Sequence, residues 1–298
     1  MSIIHYEACP VCKQPNFKFV FDVVDYTVSK QKFSIYECEH CNLRFTQDVP
    51  TEDAIGVYYK SEDYISHTNT SKGLINSLYQ KVRKITMKQK AALVMEKTGL
   101  QKGSLLDIGS GAGAFLSTMQ GRGWSVLGLE PDADARKVAL EDFNISSIPS
   151  SEIYHLETEK FDVITMWHVL EHVHQLHDYI STLHKILKPG GKLIIAVPNY
   201  TSKDAAAYQQ YWAAYDVPRH LYHFSPASIK NLIGQHGFKL AAMVPMWFDS
   251  FYISMLSSKY KTGATKYVSA GLHGLSSNLK ALNNTEACSS IIYVIEKI

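Results

Sequence analysis

The sequence lacks a strong charge excess and a long apolar run, and we expect no secretory leader. It has 30 lysines and arginines against 28 aspartates and glutamates, a net charge of +2, whereas a dedicated nucleic-acid binder usually shows a basic excess. No stretch approaches the ~18 consecutive apolar residues that a membrane-spanning helix needs. The first residues carry neither a basic nor an apolar leader segment, so we expect a cytoplasmic protein. These absences favour a small-molecule partner over a nucleic acid or a membrane.

Cysteine is also scarce, but its placement is informative. Four of the five cysteines form two C-x-x-C pairs, Cys9 with Cys12 and Cys38 with Cys41, with 25 residues between the pairs. Two such turns can bring four thiolates to one tetrahedral zinc ion. Two disulfides are the alternative, which a reducing compartment disfavours. Since four protein ligands would close the coordination shell, the predicted zinc is structural. Cys288 lies in an apolar segment and is expected to be a buried thiol.

The front of the chain divides into a predicted zinc ribbon, residues 1–50, and a connecting segment, residues 51–98. Between the cysteine pairs, residues 17–24 and 31–37 are typical of strands. The ribbon holds five basic residues against six acidic ones, which argues against a phosphate-binding role. The connecting segment contains a predicted basic helix and could form a lid. Its stretch 72–90 is rich in lysine and is either an anion-binding stripe or a solvated face.

A glycine-rich turn follows a short apolar strand at residues 104–108. The turn reads Gly109-Ser110-Gly111-Ala112-Gly113, and its glycines permit close approach of a ligand to the backbone. A second predicted strand, residues 124–129, ends at Glu130, whose carboxylate could hold a ribose diol. Asp107 just before the turn would repel a pyrophosphate but suits a cation. S-adenosylmethionine carries a sulfonium and an ammonium group, so charge favours it over a dinucleotide.

The same residues resemble the motifs of class I S-adenosylmethionine-dependent methyltransferases. The matching segments, in the order and spacing of that family, are residues 105–113, 129–132, 161–166, 169–173 and 187–193. The group with the strongest resemblance contains the ubiquinone-biosynthesis O-methyltransferases. The ribbon followed by Tyr58-Tyr59 resembles the N-terminal part of sugar C-methyltransferases. The resemblance implies an α/β fold over residues 99–298, with a Rossmann-like, seven-stranded, mostly parallel sheet, an antiparallel last hairpin, and the small zinc ribbon in front.

Predicted site residues cluster beyond the carboxyl ends of the strands, where ligands lie in doubly wound sheets. The predicted cofactor contacts are Asp107, Gly109, Ser110, Gly111, Gly113, Glu130, Pro131 and Trp167. An insertion at residues 200–224 is rich in aromatics and histidine. It supplies the predicted substrate contacts Tyr200, Trp212 and Arg219. For an acceptor that must lose a proton, His220 is the first candidate base and His168 the second, followed by Tyr222 and His223. Structural hydrogen bonding is the alternative for each histidine.

Residues 168–172 also match the H-x-x-E-H signature of inverted zinc proteases. The stretch begins at a strand end inside the methyltransferase motif order, which argues against a protease. In the quinone O-methyltransferases that the chain resembles, acidic residues and a histidine around this motif can hold magnesium. Glu171 and His172 are retained, but His168 stands where an acid is expected, which argues against magnesium.

Three functions are compatible with these patterns. The leading one is a methyltransferase for a small molecule such as a glycan, a nucleotide sugar or a quinone. A ribosomal RNA methyltransferase with a zinc module is favoured by the basic stretch 72–90 and opposed by the acidic ribbon. A non-catalytic zinc-ribbon interaction protein is opposed by the intact glycine turn and by Glu130.

Overall fold

The computed structural model describes residues 2–60 and 74–298. The first part forms five short strands and one 3-10 helix: β1 (Ile3–Ile4), β2 (Phe17–Val24), β3 (Lys32–Cys38), β4 (Arg44–Thr46), β5 (Val49–Pro50) and the 3-10 turn Ile55–Tyr59. Strands β2, β3 and β4 pair antiparallel, and β1 pairs with β5. The predicted strand between the cysteine pairs at residues 17–24 is confirmed, and its partner begins one residue later than expected.

A long helix, α1 (Leu74–Thr98), connects this part to the main sheet. Buried Ala91 and Val94 belong to the same apolar cluster as Leu105 and Phe115, so the end of α1 is fixed against the main sheet. The start of the basic stretch 72–90 and the side chains of Lys81 and Lys84 lie outside the described residues.

The remaining chain forms an α/β domain with a seven-stranded main sheet and one further strand of two residues. Its elements are β6 (Ser104–Ile108), α2 (Ala114–Gln120), β7 (Ser125–Leu129), α3 (Ala133–Phe143), β8 (Ser147–Ile148), β9 (Phe161–Trp167), α4 (Leu176–Ile186), β10 (Leu187–Pro198), α5 (Lys203–Tyr208), β11 (Tyr222–His223), α6 (Pro226–Gly234), β12 (Phe238–Pro245), α7 (Asp249–Thr262), α8 (Tyr267–Asn283) and β13 (Ser290–Lys297). Short 3-10 turns occur at Ser150–His155, Leu170–His172, Gln209–Tyr211, Ala213–Tyr215 and Thr285–Ala287.

The strand order in the main sheet is β12-β13-β10-β9-β6-β7-β8. The strands from β10 to β8 are parallel, while β13 runs antiparallel to both β10 and β12. This confirms the predicted Rossmann-like sheet. The central strands consist almost wholly of buried apolar residues, such as Leu105, Ile164 and Ile195. Such continuous apolar runs are typical of parallel strands that are covered on both faces.

The ribbon and the α/β domain are joined through the predicted insertion. Strand β11 pairs with β4, Tyr222 opposite Phe45 and His223 opposite Arg44, so it forms the edge of the ribbon's sheet. Cys9, Cys38 and Phe45 also lie in one apolar cluster with main-sheet residues. The boundary predicted at residue 50 separates sequence motifs, while the hydrophobic core runs across it.

Helices α7 and α8 form a hairpin between β12 and β13 that the sequence patterns did not predict. Gly263 ends α7 in the left-handed conformation, as is usual at a helix C-terminus. A Cβ atom at Gly274 would lie 2.8 Å from the ring of Phe251, so the two helices approach closely there. Within the described residues, no helix combines the length and apolar character needed to span a membrane.

Candidate active site

The glycine turn lies where β6 and β7 end side by side, with Asp107 opposite Gly128 and Ile108 opposite Leu129. The backbone N–H groups of Gly109 and Ser110 both donate to the carbonyl of Leu129, which fixes the start of the turn. Gly109 has a φ of +70°, and a Cβ atom there would lie 2.5 Å from the side chain of Val169. The turn therefore needs glycine at this position for both conformation and space.

Glu130 closes the turn from the end of β7. Its carboxylate accepts hydrogen bonds from the N–H of Gly111 at 2.8 Å and of Asp132 at 3.0 Å. The side chain is buried, and burial raises the pKa of Glu130. Pro131 follows directly and leads into α3, whose first turn is capped by the carboxylate of Asp132. The predicted ribose-binding carboxylate is therefore held beside the glycine turn.

Asp107 is buried at the base of the turn. Thr165 on the neighbouring strand β9 donates a hydrogen bond to its carboxylate at 2.6 Å. Burial raises the pKa of Asp107 to about 7, against the opposing effects of Thr165 and of the Lys90 ammonium. A carboxylate with this pKa gains most from a cationic ligand, because a nearby positive charge favours its ionised form.

Lys90 of α1 reaches the same region, which sequence reasoning missed. Its ammonium nitrogen lies 4.3 Å from the centre of the Trp167 ring, within the range of a cation–π contact. Burial lowers the pKa of Lys90, while the carboxylates of Asp107 and Asp249 act in the opposite direction. The indole N–H of Trp167 is buried and has no hydrogen-bond partner among the described residues.

His168 follows Trp167 with a φ of +58°, a conformation that non-glycine residues adopt rarely. Its Nε2 lies 2.8 Å from Asp249 at the start of α7, and its Nδ1 lies 3.5 Å from Glu171. Burial opposes a charge on His168, but the two carboxylates outweigh it and raise the pKa to about 10. His168 is therefore an imidazolium near neutral pH. In that form it cannot accept a proton, which weakens its predicted role as a base.

Glu171, His172 and His220 form a second cluster, with ligand atoms all within 4.8 Å of one another. His220 Nδ1 lies 2.8 Å from the carbonyl of Ala214, and His172 Nδ1 lies 3.0 Å from the carbonyl of Arg219. A carbonyl can only accept, so in each ring Nδ1 carries the proton. A neutral ring then has its lone pair on Nε2.

The Glu171 carboxylate is fully buried, and neither oxygen has a hydrogen-bond partner among the described residues. Burial alone would raise the pKa of Glu171, but the neighbouring His168 lowers it. Burial also lowers the pKa of His172 to about 4, so this ring is neutral near pH 7. One carboxylate and two imidazole nitrogens can together hold a proton or a divalent cation.

A family model described as a methyltransferase domain matches residues 79–242, more than half of the chain. The chain belongs to this methyltransferase family. Its main sheet has the fold of the class I, S-adenosylmethionine-dependent methyltransferases.

Curated relatives agree with the family, and a solved structure shares the fold. The methyltransferase is 38% identical over 124 residues to a ubiquinone biosynthesis O-methyltransferase from Glaesserella parasuis, covering 38% of this chain and 52% of the relative. It is also 32% identical over 107 residues to the mitochondrial ubiquinone biosynthesis O-methyltransferase from Rattus norvegicus. This match covers 33% of this chain and 31% of the relative. The matched part of the chain thus spans about half or less of the length of these relatives.

The solved structure is a putative sarcosine dimethylglycine methyltransferase from Galdieria sulphuraria. Its TM-score is 0.51 at 15% identity, and the match covers 72% of this chain and 86% of that chain. At this identity the likeness concerns the fold.

Several predicted substrate contacts of the methyltransferase have internal partners. Arg219 is buried and donates hydrogen bonds to Asp25, Asp216 and the carbonyl of Tyr58. Trp212 is buried, and its indole N–H donates to Asp204 at 2.8 Å. These contacts hold the insertion in place and leave little of either side chain for a ligand.

Tyr200, Tyr222 and His223 are likewise buried where the insertion meets the ribbon. The Tyr200 hydroxyl donates to the carbonyl of Asn42, and the Tyr222 hydroxyl donates to the carbonyl of His174. His223 Nε2 lies 3.0 Å from the hydroxyl of Thr46, and burial holds the pKa of His223 well below its usual value. The roles predicted for these residues in catalysis or substrate contact remain predictions, and their contacts favour docking of the insertion.

The four ribbon cysteines of the methyltransferase come together as their spacing predicts. Cys9 and Cys41 sulfurs lie 3.6 Å apart, and Cys12 and Cys38 sulfurs lie 3.5 Å apart. Four sulfurs bound to one zinc at ~2.3 Å in a tetrahedron would be about 3.8 Å apart. The four side chains therefore fit a zinc ion with a small adjustment. Cys288 is buried in the main core, as expected.

Proposed function

We propose that this methyltransferase methylates a small, ring-containing acceptor such as a nucleotide sugar, a glycan or a quinone, with His220 as the base. The single observation that carries the assignment of the base is the hydrogen bond from His220 Nδ1 to the Ala214 carbonyl at 2.8 Å. It fixes the tautomer whose Nε2 lone pair is free to take a proton. The ubiquinone methyltransferase relatives support the quinone member of this acceptor class.

On the cofactor side, the glycine turn from Gly109 to Gly113, with Ser110 and Pro131, would surround S-adenosylmethionine. Glu130 would hold its ribose diol, and Asp107 would face its positive charge. Trp167 would form the wall between the cofactor and the acceptor. When bound, S-adenosylmethionine supplies an electrophilic methyl group. The residues around it align the acceptor and exclude water, which is the main requirement of an in-line transfer.

On the acceptor side, His220 takes the proton that the accepting group loses. The buried Glu171 carboxylate stands close to His220 and stabilises the imidazolium that results, as a carboxylate does beside a catalytic histidine. His168, held as a cation by Asp249 and Glu171, stabilises negative charge that develops on the acceptor. His220 and His168 thus take different roles in one site.

At the front of the chain, we assign a structural zinc ion to the four cysteines. We keep residues 1–50 as the ribbon, 51–98 as the connection and 99–298 as the methyltransferase domain, with the insertion 200–224 as the docking element. The support is the sulfur geometry and the shared core. The ribbon then holds one wall of the acceptor site, since β11 adjoins His220.

The proposal is tested first by calorimetric titration with S-adenosylmethionine, where absence of binding at millimolar cofactor would overturn it. Transfer is then followed by release of S-adenosylhomocysteine with a panel of nucleotide sugars and reduced quinones. His220→Ala should lower turnover by about 10²- to 10⁴-fold, the usual contribution of a general base, with cofactor affinity unchanged. His155→Ala is the matched control, because His155 is exposed at the surface. Equal turnover in the two variants would remove His220 from the role of base.

A further inference from the structure

Helix α8 places its large apolar side chains on the outside of the molecule. Along α8 the exposed residues are Val268, Leu272, Leu275, Leu279 and Leu282, with exposed fractions between 48% and 80%. The face of α8 that is buried holds only small residues, Ala270, Gly274, Ser277 and Ala281. A surface helix normally turns its large apolar residues inward, so the reversed arrangement indicates that something covers the outer face.

The spacing of these five residues, which we name the α8 seam, specifies what kind of surface fits it. The intervals alternate four, three, four, three, the pattern of the a and d positions of a coiled coil. A narrow seam of this kind is complementary to another helix, whereas burial on a broad surface requires a wider apolar stripe.

The charges beside the α8 seam and the rest of the protein surface indicate which partner covers the seam. The positions of α8 that flank the seam are the uncharged residues Ser269, Gly271, Ser276 and Asn278. The Lys203 ammonium donates a hydrogen bond to one of them, Ser276. Among the side chains whose exposure the structure describes, in residues 2–60, 82 and 85–298, the other exposed large apolar residues do not form a comparable row on a helix. A second copy of α8 is therefore the matching surface that this protein itself provides.

The apolar area of the α8 seam is sufficient for a dimer of weak to moderate affinity. At roughly 80 Å² for each large apolar side chain, the seam with the adjacent exposed Tyr267 would bury on the order of 500 Å² per copy. The pair would then bury about 1,000 Å², the approximate lower limit of a biological interface. The exposed residues Trp247 and Phe248 add apolar surface beside the seam, since the Trp247 carbonyl accepts a hydrogen bond from Asn278 at 2.9 Å.

We propose that two copies of the chain associate through the α8 seam, forming a symmetric dimer by helix–helix packing. The contact is isologous, because the same patch serves on both copies. Each α7–α8 hairpin then contributes one helix to the contact, and the dimer buries the apolar row that the single chain exposes.

Sedimentation velocity and light scattering on the full-length, zinc-loaded protein test this proposal. The wild type should have twice the mass of one chain, and the dimer should persist in 1 M salt, because the contact is apolar. Leu272→Lys and Leu279→Lys should each give a monomer, with circular dichroism and cofactor affinity unchanged because both positions are exposed. Leu140→Lys is the matched control, an exposed leucine on α3 outside the seam, and it should stay dimeric.

A second measurement does not depend on a charged substitution. Leu275→Cys places a thiol in the middle of the seam, and mild oxidation with a copper–phenanthroline oxidant should join two copies by a disulfide. A wild type that is monomeric at all concentrations tested would overturn the proposal. So would a monomeric wild type that binds anionic lipid vesicles through the seam, or seam variants that dimerise as the wild type does.

Discussion

Asp107 shows how one residue can link burial, charge and ligand choice. It lies at the end of β6 with a hydrogen bond from Thr165, and burial raises its pKa to about 7. Relative to an unfolded chain with a pKa near 3.8, its protonated form is favoured in the fold. The contribution of this pKa shift to the stability of the fold is fully present below pH 3.8 and is lost as the pH rises through about 7. The ionised form of Asp107 therefore needs a compensating cation.

This reasoning predicts that binding of S-adenosylmethionine at pH 6 to 6.5 releases a proton from Asp107. In that range the amino group of the cofactor is already protonated, so the proton comes from the protein. Calorimetry in two buffers of different ionisation enthalpy measures the release, and cofactor affinity should rise as the pH is raised towards 7. Asp107→Asn keeps the side-chain shape and the acceptor for Thr165, and it should abolish the release. Identical heats for the wild type in both buffers would contradict the role of Asp107.

At the scale of elements, α1 is more than a connection, because it brings Lys90 to the cofactor side of the sheet. The Lys90 ammonium lies over the Trp167 ring and near Asp107. We propose that it binds the carboxylate of the cofactor. Lys90→Met should then weaken cofactor affinity by about 10- to 100-fold, the value of a hydrogen bond to a charged group. Lys88→Met on the same helix is the control, since Lys88 is exposed. Unchanged or tighter binding in Lys90→Met would contradict this role.

A comparison of Lys90 with the glycine turn also shows which contacts of the site can be predicted from the sequence. The turn, Asp107 and Glu130 belong to one strand–turn–helix–strand unit, so local spacing predicts their proximity. Lys90 reaches the site only because α1 packs across the sheet, and its own helix pattern contains no sign of that contact. The same holds for Asp249, which meets His168 from α7. Arg219 is predicted as a substrate contact because it lies in the insertion rich in aromatics and histidine. Two of its partners, Asp25 and the carbonyl of Tyr58, come from distant segments that the local pattern does not indicate.

At the scale of the whole molecule, the ribbon and the methyltransferase domain should unfold as one unit. The cysteines share a core with the main sheet, and β11 completes the ribbon's sheet. We therefore expect that chelation of zinc, or Cys38→Ser, lowers the temperature of the main calorimetric transition of the full chain. Cys288→Ala is the control for metal loss, since Cys288 lies outside the cluster, and it should retain zinc. A separate ribbon transition with an unshifted domain transition would show two independent units.

A buried ion pair also crosses this junction, between Arg219 and Asp25, which lie 3.0 Å apart with side chains 1% and 0% exposed. Burial would raise the pKa of Asp25, but loop N–H groups and Arg219 lower it, so its stabilising contribution is present above pH ~4 and is lost on acidification. Arg219→Met leaves the buried Asp25 and the partly buried Asp216 without their cationic partner. It should cost about 3–5 kcal/mol of unfolding free energy, measured by urea denaturation.

Lys188→Met is the control for Arg219→Met, because Lys188 pairs with Asp162 at 2.9 Å inside the methyltransferase domain with 40% of its side chain exposed. A pair this exposed contributes about 0–1 kcal/mol. If Arg219 bound the acceptor instead, its removal would raise KM and leave stability near the control. A loss of stability with KM unchanged in the protein that remains folded would assign Arg219 to the junction, and the acceptor would then be recognised by the histidines and carboxylates around His220.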